Sequence, residues 1–299
     1  MKIVFFGTPE FAVYSLEKIY NSSHEVLAVV TAPDTEKGRG LKVSYSAVKQ
    51  FAIERGINIL QPENLKDEAL INDLRLLNAD IFVVVAFRIL PEEVYSIPQY
   101  GSFNLHASVL PKYRGAAPIQ WALINGETET GVTTFKIEKK VDTGNIYLQR
   151  LIKIDKVDDF GSLHDKLALI GREAVLETIN LIESGNFNLL PQDNSLASPA
   201  PKITKEICQI DWEKPATDIH NLIRGLSPHP AAFFDYNGKV FKVFKSEIHS
   251  GKALKPGEVF YSQSEFIVGC QQSSLKITEL QQEGKKKLKI EEFLRGFRN

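Results

Sequence analysis

Over the first third of the chain, short continuous apolar runs alternate with amphipathic stretches. The runs KIVFFG (2–7), EVLAVVT (25–31), NIL (58–60) and DIFVVVAF (80–87) predict buried strands. Between them, PEFAVYSLEKIYNS (9–22), SAVKQFAIERG (46–56) and DEALINDLRLLN (67–78) carry helical spacing, and Gly56 closes the second of these. Strand and helix in alternation predict an α/β domain of the Rossmann-like kind, its sheet mostly parallel and covered on both faces. Such sheets take their ligands at the carboxyl ends of the strands, near a switch in strand order. Farther along, GVTTFKI (131–137) reads as a strand and SLHDKLALIGREAVLETINLIESG (162–185) as a long helix stopped by Gly185.

The pattern then changes. NFNLLPQDNSLASPAPK (186–202) is poor in charge and rich in Pro, Ser and Asn, the composition of a linker. Beyond it, AAFFDYNGKVFKVFKSEIH (231–249) predicts a hairpin turning at Asn-Gly, followed by the short strands GEVFY, EFIVGC and SLKITEL. The expectation is a catalytic domain over 1–189, a linker over 190–204 and a small OB-like β-barrel over 205–299.

Composition narrows the class. Of 299 residues, 43% are hydrophobic and 24% charged, as in ordinary globular proteins. No run is long enough to span a membrane and the N-terminus lacks a signal-peptide pattern, so a cytoplasmic protein is expected. Cys208 and Cys270 are the only cysteines and have no ligand-like spacing; two buried thiols are expected, with no disulfide framework and no metal. The formal net charge of −1 does not mark a nucleic-acid binder, so local clusters must decide that.

The chemistry concentrates in NLHASVLPKYRGAAP (104–118). On a strand, Asn104 and His106 share one face. They could end a strand before an ordinary turn, or point together at one reacting atom. VDTGNIY (141–147) places Asp142 just ahead of a Thr-Gly turn, where an α/β domain could return it to the same edge. Asn, His and Asp together suit acyl transfer: amide and imidazolium donate to a carbonyl oxygen becoming an oxyanion, and the carboxylate holds the imidazole. There is no G-x-S-x-G elbow, so no covalent acyl-enzyme is suggested.

The block FNLHASVLPKYRGAAPIQWALINGETETGVTTFKIEKKVDTGNIY resembles the signature of the 10-formyltetrahydrofolate-dependent formyltransferases. VFFGTPEFA, VVVAFRILP, ASPAPKITKE, PGEV and EEFLRG extend the resemblance along nearly the whole chain in the family's order. The resemblance implies Asn104, His106 and Asp142 as the catalytic trio and 10-formyltetrahydrofolate as co-substrate. It implies that the loop AFRILP (86–91) holds the pterin ring, lined by Phe87, Ile89 and Leu90, with Ser108, Leu110 and Pro111 completing the folate site. That loop is one residue shorter than the commoner family form. Arg114 either serves the folate or folds its own loop.

Relatives of this fold formylate transfer RNA, amino-sugar nucleotides or glycinamide ribonucleotide. The stretch TAPDTEKGRGLKVSYSAVK (31–49) is far longer than the usual connection and carries Lys37, Arg39, Lys42 and Lys49. By composition it is either a solvated loop or a phosphate contact; its likeness to the basic insertion of the transfer-RNA enzymes implies the latter. Gly38-Arg39-Gly40 lacks the third glycine of a dinucleotide fingerprint, which weakens a dehydrogenase reading. The run GKKKLK, with Lys285, Lys286 and Lys287, is expected to touch RNA, and Lys239, Lys242 and Lys245 are expected to line one face of the hairpin. The resemblance therefore implies initiator methionyl-tRNA as acceptor and a monomeric enzyme. An amino-sugar nucleotide acceptor, or an RNA-binding relative without chemistry, stays open here.

Overall fold

The computed structural model describes residues 1–37, 42–251 and 254–297. They form two compact units: 1–115 with 130–152 and 164–199, and 116–129 with 153–163 and 200 onward. Segments 116–129 and 153–163 thus group with the C-terminal half, although they lie between segments of the first unit in sequence.

In the first unit, strand β1 (Lys2–Gly7) is followed by α1 (Glu10–Tyr20) and β2 (Glu25–Val30). A short hairpin, β3 (Thr35–Lys37) and β4 (Lys42–Ser44), precedes α2 (Ala47–Arg55) and β5 (Asn58–Leu60). Then come α3 (Glu68–Leu76), β6 (Ile81–Val85), α4 (Glu92–Tyr95), β7 (Ser102–His106) and the two-residue β8 (Arg114–Gly115). Helix α5 (Pro118–Ile124) belongs to the second unit, and β9 (Glu129–Lys136), β10 (Ile146–Lys153) and α6 (Phe160–Ser184) follow. Seven strands form one sheet in the order β10-β9-β7-β6-β1-β2-β5, parallel from β5 to β7, with β9 antiparallel to β7.

The expected Rossmann-like sheet is therefore present. All five residues of β6 are buried, as a strand with both faces covered requires. Strand order reverses between β1 and β6, and the loop after β6 leaves the carboxyl edge beside the end of β7 (Val85 pairs with Leu105). Helix α2 shows how local chemistry sets an element boundary. Ser46 caps it by accepting from the Lys49 N–H at 3.0 Å, and Gly56 ends it in the left-handed conformation.

The second unit carries β11 (Pro199–Ala200), which starts at the unit boundary, then α7 (Lys205–Cys208) and α8 (Ala216–Leu226). Its sheet comprises β12 (Ala232–Tyr236), β13 (Lys239–His249), β14 (Val259–Tyr261), β15 (Phe266–Gly269), β16 (Ser274–Gln282) and β17 (Leu288–Lys289), with α9 (Ile290–Gly296) last. These strands make a curled antiparallel sheet, β12-β13-β16-β15-β14 with β17 on β16, the OB-like barrel expected from the short alternating runs. Its core is aromatic: Phe234 stacks on Phe241, and Phe266 and Phe293 are buried beside them. Helix α5 packs on α8 so closely that a Cβ on Gly225 would stand 2.7 Å from Ile124. Cys208 and Cys270 are both buried free thiols.

His220 on α8 bonds Ser246 Oγ through Nδ1 at 3.0 Å. Burial, reinforced by the Arg224 guanidinium and opposed by Glu247, pushes its imidazole below the ordinary value. A histidine depressed by folding binds its proton more readily when unfolded. The stability it contributes is whole above the ordinary value of about 6.5 and is lost as pH falls below it. Urea unfolding at about pH 7.5 and about pH 5.5 should therefore show a larger acid loss in the natural chain than in His220→Gln. Equal losses would remove His220 from the pH dependence.

Candidate active site

Asn104 and His106 project from β7 onto the same face of the sheet, opposite Phe135 and Thr133 of β9 respectively. Leu105, between them, points the other way and packs on α6, where a Cβ on Gly171 would stand 2.8 Å from it. The alternation leaves the two polar groups on the face away from α6, at the carboxyl edge.

His106 is 6% exposed. Its Nε2 lies 2.8 Å from the Tyr113 carbonyl oxygen, which can only accept, so Nε2 carries a proton. That carbonyl reaches the ring because Tyr113 turns in the left-handed conformation, φ 62°. The remaining nitrogen, Nδ1, faces Asp142 Oδ2 across 3.9 Å. This is too long for a direct hydrogen bond, and one polar atom could sit at about 2.8 Å from both groups. Asn104 is half-buried, and its side-chain amide makes no hydrogen bond to the described residues. Among the described residues, an amide without a partner thus stands two residues from an imidazole whose orientation is fixed.

Asp142 is held from both ends. Gly115 N–H donates to its Oδ2 at 2.9 Å, and Gln192 Nε2 donates to its backbone oxygen at 3.0 Å and to that of Gly144 at 2.8 Å. Its own backbone is left-handed, φ 55°. Ala86, at the start of the loop after β6, is left-handed too, φ 48°. Ala86, Tyr113 and Asp142 each carry roughly 1–3 kcal/mol of backbone strain, and all three border the edge where β6 and β7 end or bear on His106. Gly144 sits so close to β9 that a Cβ there would lie 1.7 Å from the Lys136 carbonyl oxygen. Gly144→Ala is therefore expected to displace the Asp142 loop and lower turnover on the order of tenfold or more, measured as kcat on purified protein.

The turn after β7 rests on a closed network. Thr133 Oγ1 donates to the Ser108 carbonyl at 2.7 Å and accepts from Leu110 N–H and Gln149 Nε2. Ser108 Oγ donates to the Lys112 carbonyl at 2.6 Å. Ser108 and Leu110 are buried, Leu110 in a cluster with Phe135 and Ile146, so their side chains shape the turn from within. Pro111 follows at the half-exposed surface.

In the loop 86–91, Leu90 is buried and Phe87 half-buried against Phe6 (ring centroids 5.6 Å apart), whereas Ile89 is 71% exposed. Arg88 braces the loop by donating to the carbonyls of Pro62 and Glu63. The peptide N–H groups of Phe87 to Leu90 make no backbone hydrogen bond to the described residues. A backbone left open beside two apolar side chains can receive a flat, hydrogen-bonding ring.

Of the basic residues expected on RNA, Arg39 lies outside the described residues, and Lys37 and Lys42 end the facing strands β3 and β4. Lys285, Lys286 and Lys287 are exposed in and after the turn between β16 and β17, and Lys287 also ion-pairs with Glu279 at 3.1 Å. The expectation of one face for Lys239, Lys242 and Lys245 needs correction. Residues three apart on a regular strand change faces, so Lys239 lies with Phe241. A register shift between Val243 and Lys245 brings Lys245 back to the face of Lys242, opposite Glu279 and Gln281.

Comparison with known proteins places the chain. Residues 1–179 match the family described as "Formyl transferase", and residues 202–298 match "Formyl transferase, C-terminal domain". The methionyl-tRNA formyltransferase of Caldanaerobacter subterraneus is 49% identical, over 99% of this chain and 97% of that one. The chain belongs to the methionyl-tRNA formyltransferase family. Among solved structures, WlaRD, a sugar 3N-formyl transferase, superposes with a TM-score of 0.70 at 25% identity, covering 96% of this chain and 99% of that one. HypX from Aquifex aeolicus, solved with tetrahydrofolic acid, shares the fold (TM-score 0.66, 20% identity); the match covers 99% of this chain but 48% of HypX. Among the described residues no cluster of His, Cys, Asp or Glu could hold a metal ion, and no helix is long and apolar enough to cross a membrane.

Sequence reading missed the residues that hold the trio. Tyr113 was hidden because its carbonyl, not its side chain, does the holding. Gln192 was hidden inside a stretch whose composition reads as linker.

Proposed function

We propose that this formyltransferase moves the formyl group of 10-formyltetrahydrofolate to the α-amino group of methionyl-tRNA, with Asn104, His106 and Asp142 as its catalytic residues. The observation that carries the assignment of roles is an Asn104 amide with no hydrogen bond to the described residues, on the same strand face as an imidazole whose Nε2 is bound to the Tyr113 carbonyl and whose Nδ1 faces Asp142. The amine attacks the formyl carbon, a C–N bond forms, and the bond from that carbon to N10 of the folate breaks. Asn104 donates to the oxygen that gains charge in between. Net, one proton leaves the amine and one arrives at N10. Nδ1 of His106, paired across 3.9 Å with Asp142, relays it.

An α-amino group with a reference value of about 8 is partly neutral near pH 7, so little base strength is required. Positioning and oxyanion stabilisation supply most of the rate. The open backbone of Phe87 to Leu90, flanked by Phe87 and Ile89, is the proposed seat of the folate ring. Ser108, Leu110 and Pro111, in the turn after β7, are proposed to complete the folate site. Lys37, Arg39, Lys42 and Lys285 to Lys287 are the proposed phosphate contacts. A monomer is the proposed working unit, since one chain carries Asn104, His106 and Asp142 together, and the cytoplasm is its proposed location. Single-turnover formylation of methionyl-tRNA by His106→Ala tests the roles: a burst at the natural rate from the folded variant would refute them.

A further inference from the structure

Arg114 turns its guanidinium to a side-chain amide. Its Nε and Nη2 both donate to Gln192 Oε1, at 3.1 and 2.6 Å. The other end of that amide, Nε2, donates to the backbone oxygens of Asp142 and Gly144. Gln192 thus uses both halves of its side chain to join the turn after β7 to the loop of Asp142. The segment around it is fixed as well. Ile146 and Leu190 exchange backbone hydrogen bonds at 2.8 and 3.0 Å, and Ser198 receives the N–H groups of Tyr113 and Arg114. This part of the presumed linker is scaffold for the site.

The loop needs such a hold. Asp142 is left-handed, and among the described residues its side chain has one backbone partner, Gly115 N–H. A side-chain amide is the one neutral group that can accept from a guanidinium fork and donate to two carbonyls at once. We propose that Gln192 is a positioning residue for formyl transfer: by tying the carbonyls of Asp142 and Gly144 to Arg114, it sets the distance between the Asp142 carboxylate and His106 Nδ1. This rests on the trio reading given above.

Gln192→Glu separates the two halves of the tie. The carboxylate would pair with Arg114 more strongly but can no longer donate, and it would repel both carbonyls. Turnover should fall roughly ten- to hundredfold, KM for both substrates should shift less than about threefold, and the melting temperature should hold. In an Asp142→Asn background the same change should cost less than about twofold, because a residue acting through Asp142 has nothing left to position. An equal loss in both backgrounds, or natural turnover in folded Gln192→Glu, overturns the proposal. Should Gln192→Glu fail to fold, Gln192→Ala enters the same comparison with the same two outcomes. If Asp142→Asn alone turned over normally, the trio reading would fail instead, and the two failures are distinct.

Discussion

Asn104→Ala should lower the turnover number by about 10²–10³-fold, the usual loss for one oxyanion donor, while the melting temperature stays unchanged. The amide is half-buried at the edge of the sheet and bonds no described residue, so its removal breaks no structural hydrogen bond. KM should change little, because in the proposed role the amide meets its charge only in the transition state. His106→Ala and Asp142→Asn should be at least as slow, and pairs of these changes should be far from additive, as the proposed action of the three groups as one unit requires. Asp142→Asn keeps the size of the side chain and can still accept from Gly115, which separates loss of charge from loss of shape. Stopped-flow or quenched-flow measurement of the chemical step decides; near-natural turnover in any of the three folded variants removes that residue from the mechanism.

The second large effect concerns the long basic connection after β2. The triple change Lys37→Ala, Arg39→Ala, Lys42→Ala should reduce kcat/KM for methionyl-tRNA on the order of 10²–10³-fold at about 0.1 M salt. Each cation neutralising a phosphate contributes about 0.7–0.9 to the slope of log affinity against log salt, so the slope should flatten by about 2–2.7. Hydrolysis of formylfolate, where measurable, should be unaffected, because Asn104, His106 and Asp142 stand outside this segment. Arg39→Ala alone should carry the largest share, since a guanidinium engages phosphate through two donors where lysine offers a point charge. An unchanged salt slope in the triple variant would make the connection a solvated surface feature.

How much of this was legible in the sequence depends on the range of the interaction. Strands β1, β2 and β6 were readable because parallel strands covered on both faces are written as unbroken apolar runs, and β6 is buried at every position. The pairing of Asn104 with His106 followed from strand alternation, and Asp142 from its place before a Thr-Gly turn together with the family block. Membership of 116–129 in the second unit was not readable, because it depends on Ile124 meeting Gly225, about a hundred residues away. The lysines of β13 misled for a local reason: a spacing of three fits one face only across a bulge, and that bulge lies between Val243 and Lys245. Gln192 escaped because polar, uncharged composition signals a linker. The same composition equally suits a segment that satisfies the carbonyls of a strained loop.

Whether this trio serves a transfer-RNA acceptor is decided by kcat/KM for formyl transfer from 10-formyltetrahydrofolate to three acceptors side by side. These are methionyl-tRNA, a dTDP-linked amino sugar and glycinamide ribonucleotide, each run with the natural chain and with Asn104→Ala. Methionyl-tRNA should be preferred by at least about 10³-fold, and that activity should fall with the Asn104 amide. A comparable or higher kcat/KM for either small amine, or methionyl-tRNA formylation indifferent to Asn104, would contradict this assignment.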